Sequence, residues 1–338
     1  MTADFNSEYL VQSSSYGRVM NETVLPWLEA RGCVSTVLSA DHHPLYCVSY
    51  EAEHPVGTVL IVHGFTENAF KYAELIFSLL HLGFSVLAYD QRGHGRSWRA
   101  EGIPDISVTH VDRFSDYVED LQTVYDSYKS NLPSPWFIFA HSMGGAVASL
   151  FLERGHHSIS AAVFSSPMIA PSVRPFPSFL ASAMALAGCT LGKDRYPPFF
   201  MKPYSGPEDF STSCATDPER FAWYDAVKAS VPAFRNSVPS YRWSLEAVRV
   251  TRKVLAPGAP EKIRCPIILF SAGIDFSVCR DPQEKFISRV PDGLFVPVQE
   301  ARHEIFRSVN AVLFPWWHQV ITFLKEHTEI PENGGNES

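Results

Sequence analysis

Charge is scarce in this sequence. Only 19% of its residues are Asp, Glu, Lys or Arg, and the balance is acidic: 28 basic against 36 acidic, for a formal net charge of −8. A chain with no basic excess is poorly equipped to displace counterions along a phosphate backbone, which argues against nucleic acid as a general partner. Cysteine is also sparse. The six residues Cys33, Cys47, Cys189, Cys214, Cys265 and Cys279 form no CxxC pair and show no metal-like spacing to histidine. Neither a disulfide framework nor a metal site is expected, and a reducing, cytoplasmic compartment is.

Long apolar runs are missing too. The uncharged stretch 175–192 is the nearest approach, but it is broken by two prolines and two glycines. It falls short of the ~20 apolar residues that a bilayer span requires. The opening MTADFNSEYLVQSSSYG carries neither the basic nor the apolar region of a secretory signal. What the chain does have is core material: 46% hydrophobic and 13% aromatic residues over 338 positions. That is too apolar for a disordered chain, and long enough for two domains or one large α/β domain with an insertion.

The apolar residues alternate between short β-like runs and longer amphipathic stretches, the pattern of a parallel sheet covered on both faces. Thr58–His63, Phe84–Tyr89, Trp136–Ala140, Ser160–Phe164, Pro266–Ala272 and Leu294–Val298 read as strands. Lys71–Leu82, Asp116–Ser130, Met143–Arg154, Asp281–Arg289 and a final stretch through Trp316–Glu326 read as helices. Between about 167 and 262 the alternation fails, and this segment holds 13 of the 25 prolines. The expected division is therefore an N-terminal extension (1–30), a core in two pieces (31–166 and 263–328), an inserted helical cap (167–262) and a disordered tail (329–338).

The chemistry centres on WFIFAHSMGGAVASLFLER at 136–154. A small residue, any residue, Ser, any residue and Gly, set between a strand and a helix, force a sharp turn that lifts the serine above the sheet edge. Ala140 takes the first position, usually glycine, so Ser142 is the candidate nucleophile. A serine needs a neighbouring base, and in this architecture the acid and the base follow in chain order, each just beyond a later strand. Asp275 and His303 stand in those places, with Asp281, Asp292 and Glu304 as alternative acids. Main-chain amides of Met143 and of Phe65, in the His63-Gly64-Phe65 loop, are the candidate oxyanion donors. The loop Asp90–Ser97 reads as a tight turn held by a hydrogen-bond network through Asp90 or Arg92.

Taken together, HGFTEN (63–68), KYAELIFSLLHLGFSVLAYDQRGHGRS (71–97), HVDRFSDYVEDL (110–121), AHSMGGAVASLFLER (140–154), SYRWSLEA (240–247), AGID (272–275) and RHEIF (302–306) resemble the α/β-hydrolase superfamily. Within it they are similar to the monoacylglycerol lipase and bacterial lysophospholipase branch, which is grouped with serine aminopeptidases. The resemblance implies an α/β-hydrolase fold with a mobile cap, and nothing in the sequence calls for a metal or organic cofactor. The resemblance also implies a serine carboxylester hydrolase that acts on a single-chain lipid, lysophospholipid or monoacylglycerol, through an acyl-enzyme. Phe176, Phe179, Leu180 and Met184 are expected to line the acyl channel, and the apolar cap to touch a membrane from its cytoplasmic face. The competing readings are an amide hydrolase of the same fold, which needs acidic groups for a substrate amine, and a ligand-binding protein on a hydrolase scaffold.

Overall fold

The computed structural model describes residues 3–328, so the tail expected to be disordered lies outside the described residues. A helical run, α1 (Tyr16–Val19) and α2 (Leu25–Glu29), leads into a hairpin of β1 (Cys33–Leu38) and β2 (Pro44–Tyr50). There follow β3 (Gly57–Val62), α3 (Ala73–His81), β4 (Phe84–Tyr89), the two-residue β5 (Val108–Thr109) and α4 (Phe114–Tyr128). Next come β6 (Trp136–His141), α5 (Met143–Arg154) and β7 (Ile159–Ser165). The inserted segment carries α6 (Ser178–Thr190), α7 (Pro218–Ser230), the two-residue β8 (Val238–Pro239) and α8 (Tyr241–Val254). The chain returns through β9 (Ile267–Ile274), α9 (Arg280–Ile287), β10 (Gly293–Arg302) and α10 (Asn310–Glu326).

Eight strands form one sheet in the order β1-β2-β4-β3-β6-β7-β9-β10. β2 runs antiparallel to both its neighbours, and every other pairing is parallel. Side chains alternate across each strand, so one strand feeds two cores. Val59, Ile61, Phe137, Phe139, Val163 and Phe270 face α3 and α10. Leu60, Val62, Ile138, Phe164 and Leu269 face α4, α5 and α9. These are the near-continuous apolar runs legible in the sequence. The β1–β2 hairpin escaped the sequence reading, because β1 has no buried residue and the pair includes Ser35, Thr36 and Ser49.

Packing ties two of the expected segments to the core. Within the N-terminal extension, Leu10, Val11, Val19, Met20 and Val24 are fully buried in the core beside α3. Arg220 of α7 fixes them there. Its Nη2 donates to the Val11 carbonyl at 2.6 Å and to Glu74 Oε1 at 2.9 Å, while Nη1 donates to Asp217 Oδ2 at 2.8 Å. Within the inserted segment, α8 turns Trp243, Ala247, Val250 and Val254 into the second core. The far end of the insertion is thus a layer of the core, and α7 adds Trp223 and Tyr224 to the first core, which leaves α6 as the helix of the insertion with the fewest buried residues.

Candidate active site

The turn from β6 to α5 has the geometry its sequence requires. Ser142 sits at φ 51, ψ −121, a left-handed backbone conformation that costs a non-glycine residue about 1–3 kcal/mol. The strain is tolerated because the flanks are small. A β-carbon on Gly144 would lie 2.1 Å from the Val62 carbonyl oxygen, and one on Gly145 would lie 2.3 Å from Pro167 Cβ. Ala140 is fully buried in β6, and its one methyl group is accommodated there.

Ser142 Oγ donates to His303 Nε2 at 2.8 Å, and His303 Nδ1 donates to Asp275 Oδ2 at 2.7 Å. Asp275 follows β9 and His303 follows β10, so neighbouring parallel strands deliver both to the sheet edge that carries the serine. The other Asp275 oxygen accepts from the Ser277 amide at 2.8 Å and the Val278 amide at 3.1 Å, which fixes the carboxylate plane. Burial opposes charging His303, but the charge and hydrogen bond of Asp275 outweigh it and raise the imidazole above the ordinary histidine value. Burial likewise pushes Asp275 up, and His303 with the two amides brings it below the usual carboxylate range. Glu304, an alternative acid, points instead toward Lys71 and Arg307. Asp281 lies in the first turn of α9.

Among the described residues, neither the Phe65 nor the Met143 amide has a hydrogen-bond acceptor. The Met143 amide opens α5, where the helix dipole favours a developing anion. The Phe65 loop is braced from below. His63 Nδ1 donates to the Gly64 carbonyl at 2.8 Å and its Nε2 accepts from the Gln91 amide at 2.9 Å. His94 Nε2 meets the Phe65 carbonyl at 2.5 Å. Glu67 Oε2 accepts from the Gly64 amide at 2.6 Å and from Tyr72 Oη at 2.5 Å.

Sequence reasoning missed what lies under this loop. Lys71 Nζ sits 3.0 Å from Glu67 Oε1 and 2.6 Å from Glu304 Oε1, and Arg307 Nη1 donates to Glu304 Oε2 at 2.6 Å. All four side chains are buried, and the chain of charges links the Phe65 loop to the His303 loop. The only advance signals are the four-residue spacing of Glu67 to Lys71 and the three-residue spacing of Glu304 to Arg307. The Asp90–Ser97 loop carries the expected network: Asp90 accepts from the Ala69 and Arg96 amides, and Arg92 pairs with Asp120 and Asp41.

A cavity of about 830 Å³ opens above Ser142 and His303. Its walls are largely apolar, with Phe176 and Met184 among them, joined by Met168, Phe200, Trp243 and Val248. Phe179 and Leu180 correct the expectation, for neither lines the cavity and Phe179 is 76% exposed. The helical period explains this: α6 turns Ala181, Met184 and Ala185 inward, which leaves Phe179 on its outer side.

A serine on a strand–helix elbow, hydrogen-bonded through histidine to aspartate at one edge of a mostly parallel sheet, defines the class: a serine hydrolase of the α/β-hydrolase fold. The family follows from comparison. The family model described as serine aminopeptidase, S33, matches residues 53–310, and the chain belongs to that family. It is similar to lysophospholipase L2 of Escherichia coli strain K12, with 30% identity over 317 residues covering 88% of each chain. The human monoglyceride lipase is 32% identical over 138 residues, covering 39% of this chain and 42% of that one. Among solved structures, a soluble variant of monoglyceride lipase from Saccharomyces cerevisiae superposes with a TM-score of 0.68 at 21% identity, covering 88% of this chain and 96% of that one. At that identity the last likeness speaks for the fold alone.

Proposed function

We propose that this chain hydrolyses carboxyl esters of single-chain lipids, lysophospholipid or monoacylglycerol. The observation that carries the reading is the apolar cavity of about 830 Å³ with Ser142 and His303 in its wall. A cavity of this size and lining suits one acyl chain. In this reading His303 takes the Ser142 proton as the hydroxyl oxygen attacks the ester carbonyl, while the Met143 and Phe65 amides hold the oxyanion. His303 then gives the proton to the leaving alcohol, and water repeats the sequence on the acyl-enzyme. Asp275 orients the imidazole and stabilises its cation. The names of the lysophospholipase and monoglyceride lipase relatives point the same way.

Substrate of this kind lies in membranes. Phe179, Leu191 and Phe199 are 76%, 75% and 83% exposed on the inserted segment, and we propose that this face rests on a lipid surface. Contact of this kind is peripheral, as no helix among the described residues is long and apolar enough to cross a membrane. Six unpaired cysteines support a reducing compartment, the cytoplasmic side of such a surface.

The test has two parts. A fluorophosphonate probe is expected to label the protein and not its Ser142→Ala variant; absence of labelling in both favours the ligand-binding reading. Turnover is then compared among oleoyl lysophospholipids, monooleoylglycerol and an aminoacyl amide. Hydrolysis of the amide in preference to the esters would overturn the proposal.

A further inference from the structure

Hydrolysis of an ester splits it between two spaces. The acyl part stays on the serine, and the alcohol leaves on the side of the histidine that protonates it. A second cavity, of about 320 Å³, adjoins the acyl cavity. It shares Thr66, Cys214 and Glu304 with the acyl cavity, and these are chain neighbours of the Phe65 amide (Thr66) and of His303 (Glu304), together with a residue whose carbonyl accepts from the Glu304 amide (Cys214).

Its lining is ordered by charge. Three cations, Lys71, Lys228 and Arg307, face it, each more than nine-tenths buried. The carboxylates of Glu208 and Asp209 are exposed and that of Asp225 is half-buried. Exposed carboxylates therefore face the buried cations, and Glu304, the buried carboxylate of the lining, is neutralised by Lys71 and Arg307. Lys71 and Arg307 are committed to Glu67 and Glu304. Lys228 differs: its ion-pair partner is Glu208, at 2.5 Å, whose side chain is 44% exposed. A buried ammonium with an exposed partner can exchange that partner for another anion at little cost in protein packing.

We propose that this cavity binds a zwitterionic phospho-ammonium headgroup, the phosphate on Lys228 and the ammonium on Glu208 and Asp225. The phosphate displaces Glu208 from Lys228, and the carboxylate so released meets the ammonium. The exchange leaves no buried charge unpaired. The headgroup assignment rests on the proposed lipid-ester activity and narrows it to lysophospholipids with an amine.

The experiment compares kcat/KM for oleoyl lysophosphatidylethanolamine, oleoyl lysophosphatidylglycerol and monooleoylglycerol. The unaltered protein is expected to favour the first. In Lys228→Met the ratio of either lysophospholipid to monooleoylglycerol falls by about ten- to a hundred-fold, the range for loss of a charged hydrogen bond. Lys228→Arg restores it. In Glu208→Gln/Asp225→Asn only the ratio of lysophosphatidylethanolamine to lysophosphatidylglycerol falls. Free phosphoethanolamine separates headgroup binding from lipid partitioning, as it should inhibit hydrolysis of a short soluble ester in the unaltered protein more than in Lys228→Met. Equal losses on all three lipids, or none, overturn the headgroup site. Failure of the unaltered protein to hydrolyse any of the three overturns the lipid-ester reading itself.

Discussion

Lys71 and Glu304 lie 233 positions apart in the chain and meet at 2.6 Å in the interior. Glu67 completes the contact from the other side of the ammonium, at 3.0 Å. Glu67 also holds the Gly64 amide beside Phe65, and Glu304 adjoins His303, so this one cation joins the two loops on which the proposed chemistry depends. Burial works against both the Lys71 cation and the two carboxylates, yet their mutual attraction keeps all three charged: Lys71 is raised, and Glu67 and Glu304 are lowered. Lys71→Met strands the buried Glu67 carboxylate, while Glu304 keeps Arg307, and the expected cost is about 3–5 kcal/mol. Urea unfolding measures it, and an unaltered midpoint would count against the network.

The pH profile of kcat/KM reports on His303. The imidazole must be neutral to accept the Ser142 proton, and its pKa in the folded protein is raised above 6.5. Activity is therefore expected to fall as the pH drops through a value above 6.5. The same shift contributes stability that is fully present below 6.5 and lost as the pH rises through the raised value. Asp275→Asn removes the main raising influence and leaves the imidazole misoriented, so the rate should fall by about four orders of magnitude. An acid limb at or below 6.5 in the unaltered protein would show that Asp275 does not govern the imidazole.

Gly144 has no room for a side chain. In Gly144→Ala the new methyl group meets the Val62 carbonyl oxygen, which belongs to a central strand and has nowhere to retreat. Overpacking costs typically ~1–3 kcal/mol, and a backbone obstacle places this variant at the upper end. Thermal unfolding and the rate of probe labelling should both decline. Gly155→Ala is a useful contrast, as no atom lies within 4 Å of the added carbon and the cost there comes only from φ 70.

The exposed face of the inserted segment is separable from the cavity. Phe179→Ser and Leu180→Ser alter side chains that do not line it. Co-sedimentation with phospholipid vesicles is expected to drop, while turnover of a soluble p-nitrophenyl ester continues. Undiminished vesicle binding would exclude this face as the point of contact.

Glu153, in the last turn of α5, is half-buried, and its Oε1 has no hydrogen-bond partner. Burial pushes its carboxyl up to about 8, with Lys262 and Arg289 pulling only weakly the other way. An acid that holds its proton more tightly when folded makes the folded state less stable as pH rises from 4.5 toward 8. Glu153→Gln removes that dependence. The variant should gain thermal stability relative to the parent at pH 8 and match it near pH 4; a gap independent of pH would refute the assignment.

Much of this molecule is legible from residue order. The apolar runs that become β3, β4, β6, β7 and β9 are unmistakable because a strand buried on both faces has no polar face to interrupt it. The hairpin of β1 and β2 is not, since one side of it meets solvent and its Ser and Thr residues read equally well as loop. Ser142, Asp275 and His303 could be picked out because an elbow and two strand ends leave local marks. Phe179 and Leu180 could not be sorted from Phe176 and Met184. All four are apolar and close in sequence, and only the rotation of α6 decides which of them faces the cavity.

Local sequence therefore determined the elements and the types of group at the strand ends, because period, turn residues and side-chain volume act over a few residues. Tertiary structure decided which charges meet. Lys71, Lys228 and Arg307 are ordinary cations in the sequence. Folding buries them, and a buried charge must find its partner in space wherever the chain brings one. That requirement pairs Lys71 with Glu304 across 233 positions and Lys228 with Glu208 across 20, and a cavity with a charged lining results beside the apolar one.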